Sequence, residues 1–253
     1  MSNVKLVKKK QKKLQKTAKG RFMTQIYAHR GASRVLKENT LEAFKHAETL
    51  GAGWVELDVW LSKDSFLTVH HDLIVETGDN IIESGYSSFP DDVPTLLDVV
   101  ASTDNVGINV EVKTRNNLMV DVPTRRLIDE LAQLLEDVGE SREFLVSSFN
   151  FPCLTYFREK SPDRPVGFLV WELDDDWESL IAKVAESDFQ AIHPANGIIS
   201  RDFVAACKKR NLDVNAWTVN DEDRMEELLG FGVDGIITDV PDVALEVVKG
   251  LGR

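Results

Sequence analysis

With 253 residues, 43% of them hydrophobic and 28% charged, the chain matches a globular protein close to the roughly 250 residues of one (β/α)₈ barrel. No apolar run nears the roughly 18 residues a membrane-spanning helix needs, no apolar stretch follows the basic start as in a secretory signal, and Cys153 and Cys207 make neither a disulfide framework nor a metal spacing; together these point to a cytoplasmic protein. The formal charge of −12 is unevenly placed, because nine of the 30 basic residues fall in residues 1–21, which hold no acid, leaving 21 against 42 acidic residues in the rest. An acidic body of that kind excludes nucleic acid as the main ligand.

In chain order, residues 1–22 read as a basic, disordered tail, with contact to an anionic membrane surface as the alternative use of such a segment. Residues 23–253 then alternate short β-branched runs with amphipathic stretches. The runs are QIYAHRG, WVELDVWL, VGINVEVK, EFLVSSF, PVGFLVW, QAIHP, LDVNAWTV and DGIITD. Between most of them lie helical patterns such as NTLEAFKHAETL, PTRRLIDELAQLLEDV, DWESLIAKVAES, SRDFVAACKKR, DEDRMEELLGF and PDVALEVVKG. Strand then helix, repeated about eight times, predicts parallel strands closed into a (β/α)₈ barrel. An open, doubly wound sheet is the competing fold. Asn39, Ser200, Asn220 and Asp239 precede helical patterns as expected N-caps, and Gly51 and Gly250 stand where helices should stop. Residues 62–105 form an irregular insertion after the second strand: an extra strand-like SFLTVHHD, a polar stretch, and the short helix PTLLDVVAST.

The chemically able residues gather at strand ends. His29 and Arg30 end the first strand. Glu56 and Asp58 are two apart on the second, so both carboxylates face one side, and Glu111 and Lys113 repeat the pattern on the third. Ionised groups inside a barrel cost several kcal/mol each unless paired or metal-bound, so this cluster marks either a site or a salt-bridge network. Three carboxylates are hard oxygen donors, which suit one divalent cation, Ca²⁺ or Mg²⁺. Of the other histidines, His46 reads as a helix-face residue and His193 as structural. His70 and His71 are neighbours that point to opposite sides, and periodicity does not choose between them.

AHRGAS at 28–33, ENTLEAF at 38–44, GAGWVELDVWLSKD at 51–64, VHHD at 69–72, VPTLLDVV at 93–100, NVEVK at 109–113, SSF at 147–149, NAWTVN at 215–220 and GVDGIITDVP at 232–241 occur in this order. In that sequence the chain resembles the glycerophosphodiester phosphodiesterase family from Tyr27 to Pro241. The resemblance implies a TIM barrel with a small insertion after its second strand, and a divalent ion on Glu56, Asp58 and Glu111. It selects His71 as acid–base partner of His29 and gives Arg30 and Lys113 to the phosphate oxygens. It also sets Phe149 and Trp217 against the carbon part of a small glycerophosphodiester, although both read equally well as core aromatics. Lys37 stands where the family usually has proline, Ser65 where it commonly has glycine, and LIVETGDN follows the HD pair. Two other functions were weighed: a lysophospholipase D-like phosphodiesterase acting on lipids, with Tyr86 and Phe89 as an apolar rim, and an inactive barrel that only binds phosphorylated ligands.

Overall fold

The computed structural model describes residues 24–252; the basic segment expected to be a disordered tail lies outside the described residues. Nine strands are seen among them: β1 (Gln25–His29), β2 (Trp54–Leu61), β3 (Leu67–Val69), β4 (Gly107–Val112), β5 (Phe144–Ser148), β6 (Val166–Val170), β7 (Ala191–Pro194), β8 (Asp213–Ala216) and β9 (Gly235–Thr238). All but β3 are parallel. β1 is hydrogen-bonded to β2 on one side and to β9 on the other, which closes the sheet into a barrel. An open sheet leaves an unpaired strand at each edge; β1 leaves none, so the doubly wound alternative is excluded. β3 runs antiparallel on β2, with Val59 opposite Val69 and Leu61 opposite Leu67.

Among the described residues eight α-helices surround the barrel: α1 (Leu41–Leu50), α2 (Leu96–Ser102), α3 (Val122–Val138), α4 (Phe151–Lys160), α5 (Trp177–Glu186), α6 (Arg201–Lys209), α7 (Glu222–Phe231) and α8 (Pro241–Gly250). α3 shows why they bind the sheet. Its Leu127, Ile128, Leu131 and Leu135 recur at helical spacing and are buried, each worth about 1.5–3 kcal/mol by transfer from water. α4 has no equally clear stripe, since apolar residues surround it on most sides. It is set instead by Asn150, whose side chain accepts from the Cys153 N–H, and by Pro152 in its first turn.

The capping expectations divide. Ser200 caps α6, and Gly51 ends α1 with φ 96°. Asn39, Asn220 and Asp239 cap nothing: Thr40 and Asp221, one residue later, cap α1 and α7, and Val240 precedes α8 without a side-chain bond. The three displaced side chains turn towards the mouth of the barrel, where stronger partners hold them. Gly250 is the last residue of α8 and Leu251 its C-cap.

The apolar core lies between barrel and helices rather than inside the barrel. On β2 and β4 the outward residues Val55, Leu57, Val59, Ile108, Val110 and Val112 join Phe44, Leu131 and Phe157 in one cluster. The inward positions carry buried polar groups instead, among them Glu56, Asp58, Asn109, Ser147, His193 and Asn215. Glycines make room for them: a Cβ on Gly167 would come 2.4 Å from His193 Nε2, and one on Gly235 would come 2.3 Å from Asn215 Oδ1.

Between β2 and β4 the chain builds a small cluster of its own from Trp60, Val75, Ile81, Phe89 and Val93. Tyr86 and Phe89, expected to form an apolar rim, belong to this interior. Their rings meet edge to face at 5.9 Å, the Tyr86 hydroxyl donates to the Val93 carbonyl at 2.7 Å, and Phe89 is 8% exposed. Burial against Trp60 removes more apolar surface from water than a rim position would.

Candidate active site

The site begins with a sharp turn. After β1, Arg30 and Gly31 both take left-handed backbone angles, φ 56° and 85°. A Cβ on Gly31 would lie 2.7 Å from Ala43, so only glycine lets this loop settle on α1. The turn aims Arg30 back at the barrel, its Nε 3.2 Å from Asp58 Oδ2 and its Nη1 2.9 Å from the exposed Glu38.

Sheet register then gathers the acids. Asp58 is the direct neighbour of Glu111 across the β2–β4 pairing, and Glu56 lies two residues earlier on the same face. One carboxylate oxygen from each of Glu56, Asp58 and Glu111 lies within 4.8 Å of the others. Lys113 Nζ stands 3.0 Å from Glu111 and 3.4 Å from Asp58 Oδ1. Asn39 donates to Asp58 Oδ2 at 2.9 Å, the use its side chain has in place of a cap.

Two fixed cations therefore face three buried carboxylates, and the charges settle unevenly. Burial works against an ionised Asp58, but Lys113 and Arg30 outweigh it and hold this carboxyl below the usual range. At Glu56 the balance is reversed: burial and then the Asp58 charge outweigh His29 and Arg30 and push it up to about 8. Burial and Asp58 also raise Glu111, with Lys113 opposing. Asp58 Oδ1 is buried without a hydrogen-bond partner. Three hard oxygen donors, one of them driven to hold a proton that an ion could displace and one with an oxygen that accepts no hydrogen bond, are a donor set that fits a divalent cation. The salt-bridge network weighed from the sequence is present as well, but it leaves Glu56 to take up a proton.

The histidines flank these acids. His29 Nε2 lies 3.9 Å from Glu56 Oε2, and its Nδ1 meets Asp239 Oδ1 at 2.6 Å. Burial alone would lower the His29 pKa; the bond to Asp239 and the charge of Glu56 raise it above its ordinary value. Asp239 is drawn down to about 2, its burial outweighed by His29. His71 ends the β2–β3 hairpin segment, half-exposed, with Nδ1 2.8 Å from Asp72 Oδ1 and its carbonyl accepting from Trp60 Nε1 at 3.1 Å. Burial lowers its pKa, Asp58 opposes that shift, and Lys113 and Arg30 reinforce it, so His71 lies in the field of the site. His70 turns away to Glu76, 3.6 Å from it. His193 is fully buried in the barrel, accepts or donates with Asn215 at 3.0 Å, and is pushed down to about 3 by burial, in keeping with a structural role; His46 lies on α1.

An aromatic wall occupies the other side of the mouth. Phe149, just after β5, meets Trp217, just after β8, edge to face at 5.5 Å, and Trp171 from the end of β6 packs on Trp217 at 5.2 Å. Trp217 is anchored by its indole N–H on the His193 carbonyl at 2.6 Å. Phe149 and Trp217 are half-buried and Trp171 is 63% exposed, so these rings line the mouth rather than the core. The sequence gives Asn220 and Asp239 only as helix caps and offers no sign of Trp171, so none of the three is expected at the site. Asp239 carried a usable signal, an acid at the C-terminal end of a barrel strand, which its position before a helix obscured.

Among the described residues no helix is long and apolar enough to cross a membrane. Residues 29–243 match the model of the glycerophosphoryl diester phosphodiesterase family. A glycerophosphodiester phosphodiesterase of Caldanaerobacter subterraneus is 30% identical over 247 residues, spanning 89% of this chain and 98% of its own. The solved structure of a glycerophosphodiester phosphodiesterase from Parabacteroides distasonis is similar with a TM-score of 0.79 at 25% identity, covering 92% of this chain and 100% of its own. The same fold is found, with a TM-score of 0.81 at 24% identity over 90% of this chain and 98% of the other, in an Oleispira antarctica phosphodiesterase solved with its product sn-glycerol-3-phosphate.

Proposed function

Because the chain belongs to the glycerophosphoryl diester phosphodiesterase family, we propose that it hydrolyses glycerophosphodiesters to sn-glycerol 3-phosphate and an alcohol, using a divalent cation and the histidine pair His29 and His71. The observation that carries the reading is the convergence of one carboxylate oxygen each from Glu56, Asp58 and Glu111 within 4.8 Å, beside two histidines and two cationic side chains.

A phosphodiester resists attack because its oxygens repel the nucleophile and its leaving alkoxide is poor. Arg30 offers a planar fork of donors and Lys113 a point charge, and both lower the cost of the negative charge that grows on the phosphoryl oxygens. Glu56, Asp58 and Glu111 would hold the cation, which when bound supplies further charge neutralisation and polarises the oxygens near it. One histidine takes the proton of the attacking oxygen, either water's or that of the substrate's own glycerol hydroxyl, in which case water then opens the cyclic phosphate. The other histidine protonates the departing oxygen, and both tasks suit a group titrating near neutral pH. Phe149 and Trp217 present apolar faces to the carbon part of the substrate.

The test is release of sn-glycerol 3-phosphate from a panel of glycerophosphodiesters, with Ca²⁺, Mg²⁺ or chelator present. Turnover that needs the ion and falls about 10²- to 10⁴-fold in His29→Ala and in His71→Ala, with folding kept, supports the reading. Full activity in excess chelator, or near-normal turnover in either variant, would refute it. A second reading, action on lysolipids, is favoured by apolar side chains on loops after strand ends: Leu118 at 87% exposure, Met119 at 54% and Trp171. Faster turnover of a lysophosphatidylcholine than of glycerophosphocholine would establish that reading instead.

A further inference from the structure

We propose that Asp239 is a positioning residue for the reaction: it fixes the ring orientation and tautomer of His29 so that Nε2 carries the free lone pair at the site. The inference rests on the phosphodiesterase reading for its role in turnover, and on geometry alone for the tautomer.

Asp239 follows β9 and directly precedes the residue that leads into α8. A carboxylate there is well placed to cap the helix. It does not: α8 begins without a side-chain cap, and both oxygens of Asp239 are turned the other way. Oδ1 meets His29 Nδ1 at 2.6 Å and accepts from the Ser33 hydroxyl at 3.2 Å, while Oδ2 accepts from Asn220 Nδ2 at 2.6 Å. Asn220 is itself fixed, its Oδ1 accepting from the Thr238 hydroxyl and from the Asp239 backbone N–H, both at 3.0 Å. The single Ser33 proton is shared between Asp239 Oδ1 and the His29 carbonyl, 2.8 Å away, which sets the carboxylate beside the strand that carries the histidine.

An ionised carboxylate only accepts hydrogen bonds. His29 Nδ1 must therefore bear the proton in the neutral ring, which leaves Nε2 as the acceptor. Nε2 is the nitrogen that faces the acids, 3.9 Å from Glu56. Asp239 touches none of the three proposed metal ligands, so its effect passes through His29. Asp239 is half-buried, its side chain 27% exposed; in the Ser–His–Asp triad the carboxylate that orients the imidazole is worth about 10⁴ in kcat, and exchanging it for an amide leaves the geometry intact and gives the wrong tautomer.

The experiment has two arms. In the first, neutral ¹⁵N-histidine-labelled protein is examined by long-range ¹H–¹⁵N correlation, with His29 assigned by comparison with His29→Asn. The wild-type ring should be protonated at Nδ1, and Asp239→Asn should move the proton to Nε2, because its amide then donates to Nδ1. In the second, glycerophosphocholine turnover by Asp239→Asn should fall about 10²- to 10⁴-fold in kcat, with KM changed less than about threefold and the melting temperature kept. Asp239→Glu, which keeps the charge, should recover part of the rate. With the pH raised until the ring is neutral, a wild-type His29 protonated at Nε2 and not at Nδ1, or an Asp239→Asn enzyme within about threefold of wild-type kcat, would overturn the proposal. The spectrum of the wild-type protein decides the tautomer even if the variants do not fold. It needs no substrate, so a protein inactive on every diester would defeat the functional reading while leaving the tautomer result in force.

Discussion

Glu56 is the carboxyl that Arg30 and Lys113 leave protonated, and this makes its proton a handle on the whole site. In the folded, ion-free protein its pKa rises to about 8, above the ordinary carboxylate value, through burial and the neighbouring Asp58. Between those two values the folded protein keeps a proton that the unfolded chain has released. This contribution to stability is fully present at acidic pH and is lost as pH rises through about 8. A divalent ion competes with that proton. We expect the rise in melting temperature on adding Mg²⁺ or Ca²⁺ to grow from about pH 6 to about pH 9. In Glu56→Gln the ion should give little or no rise, and the chelated protein should melt no lower than wild type at the alkaline end. An ion-induced rise that stays constant across the range would contradict this. At this scale the three acids were legible because strand alternation puts Glu56 and Asp58 on one face and register adds Glu111. Asp239 was not. A carboxylate before a helix suggests a cap, and only the folded chain reveals that a histidine 210 residues away attracts it more strongly.

The β1–α1 turn and the β2–β3 hairpin deliver the two histidines by different means. The turn is rigid. Successive left-handed residues at Arg30 and Gly31, with Ala43 pressed against Gly31, set where the Arg30 guanidinium points. Gly31→Ala combines strain at positive φ with a clash against backbone, so it should destabilise by about 2 kcal/mol or more. It should also lower kcat by more than the loss of folded protein explains, as measured by denaturant unfolding beside turnover per folded molecule. Normal turnover in a folded Gly31→Ala protein would show that the turn does not aim Arg30. The hairpin depends on its own small core, and Trp60 links that core to the His71 carbonyl. From the sequence the strand-like run before His71 could be seen, but not the direction taken by Tyr86 and Phe89. A local apolar cluster forms only when a fold brings Trp60 beneath them. α4 escaped notice for a related reason: Phe151, Cys153, Leu154 and Phe157 give no clean period, because the helix packs on neighbours as well as on the barrel.

Taken whole, the barrel mouth has two halves. Charged groups come from β1, β2, β4 and the segment after β9, and aromatic rings from the ends of β5, β6 and β8. A diester with an anionic centre and a carbon-rich arm can lie across both. Because apolar contact with that arm is similar before and during the reaction, Trp217→Ala should raise KM about tenfold and change kcat little. A fall in kcat at constant KM would instead place Trp217 in the chemistry. Periodicity could not separate this closed barrel from an open sheet; the ordered motifs of the family did so, and the two-sided pairing of β1 agrees with them. That pairing also has a consequence in time. β1 is among the first described strands to be synthesised and β9 is the last, and each is the other's neighbour. Until β9 has left the ribosome, β1 has one edge without its partner and His29 has no Asp239. The growing chain thus carries a sticky edge through most of its synthesis, and His29 gains its carboxylate partner only when the last described strand arrives.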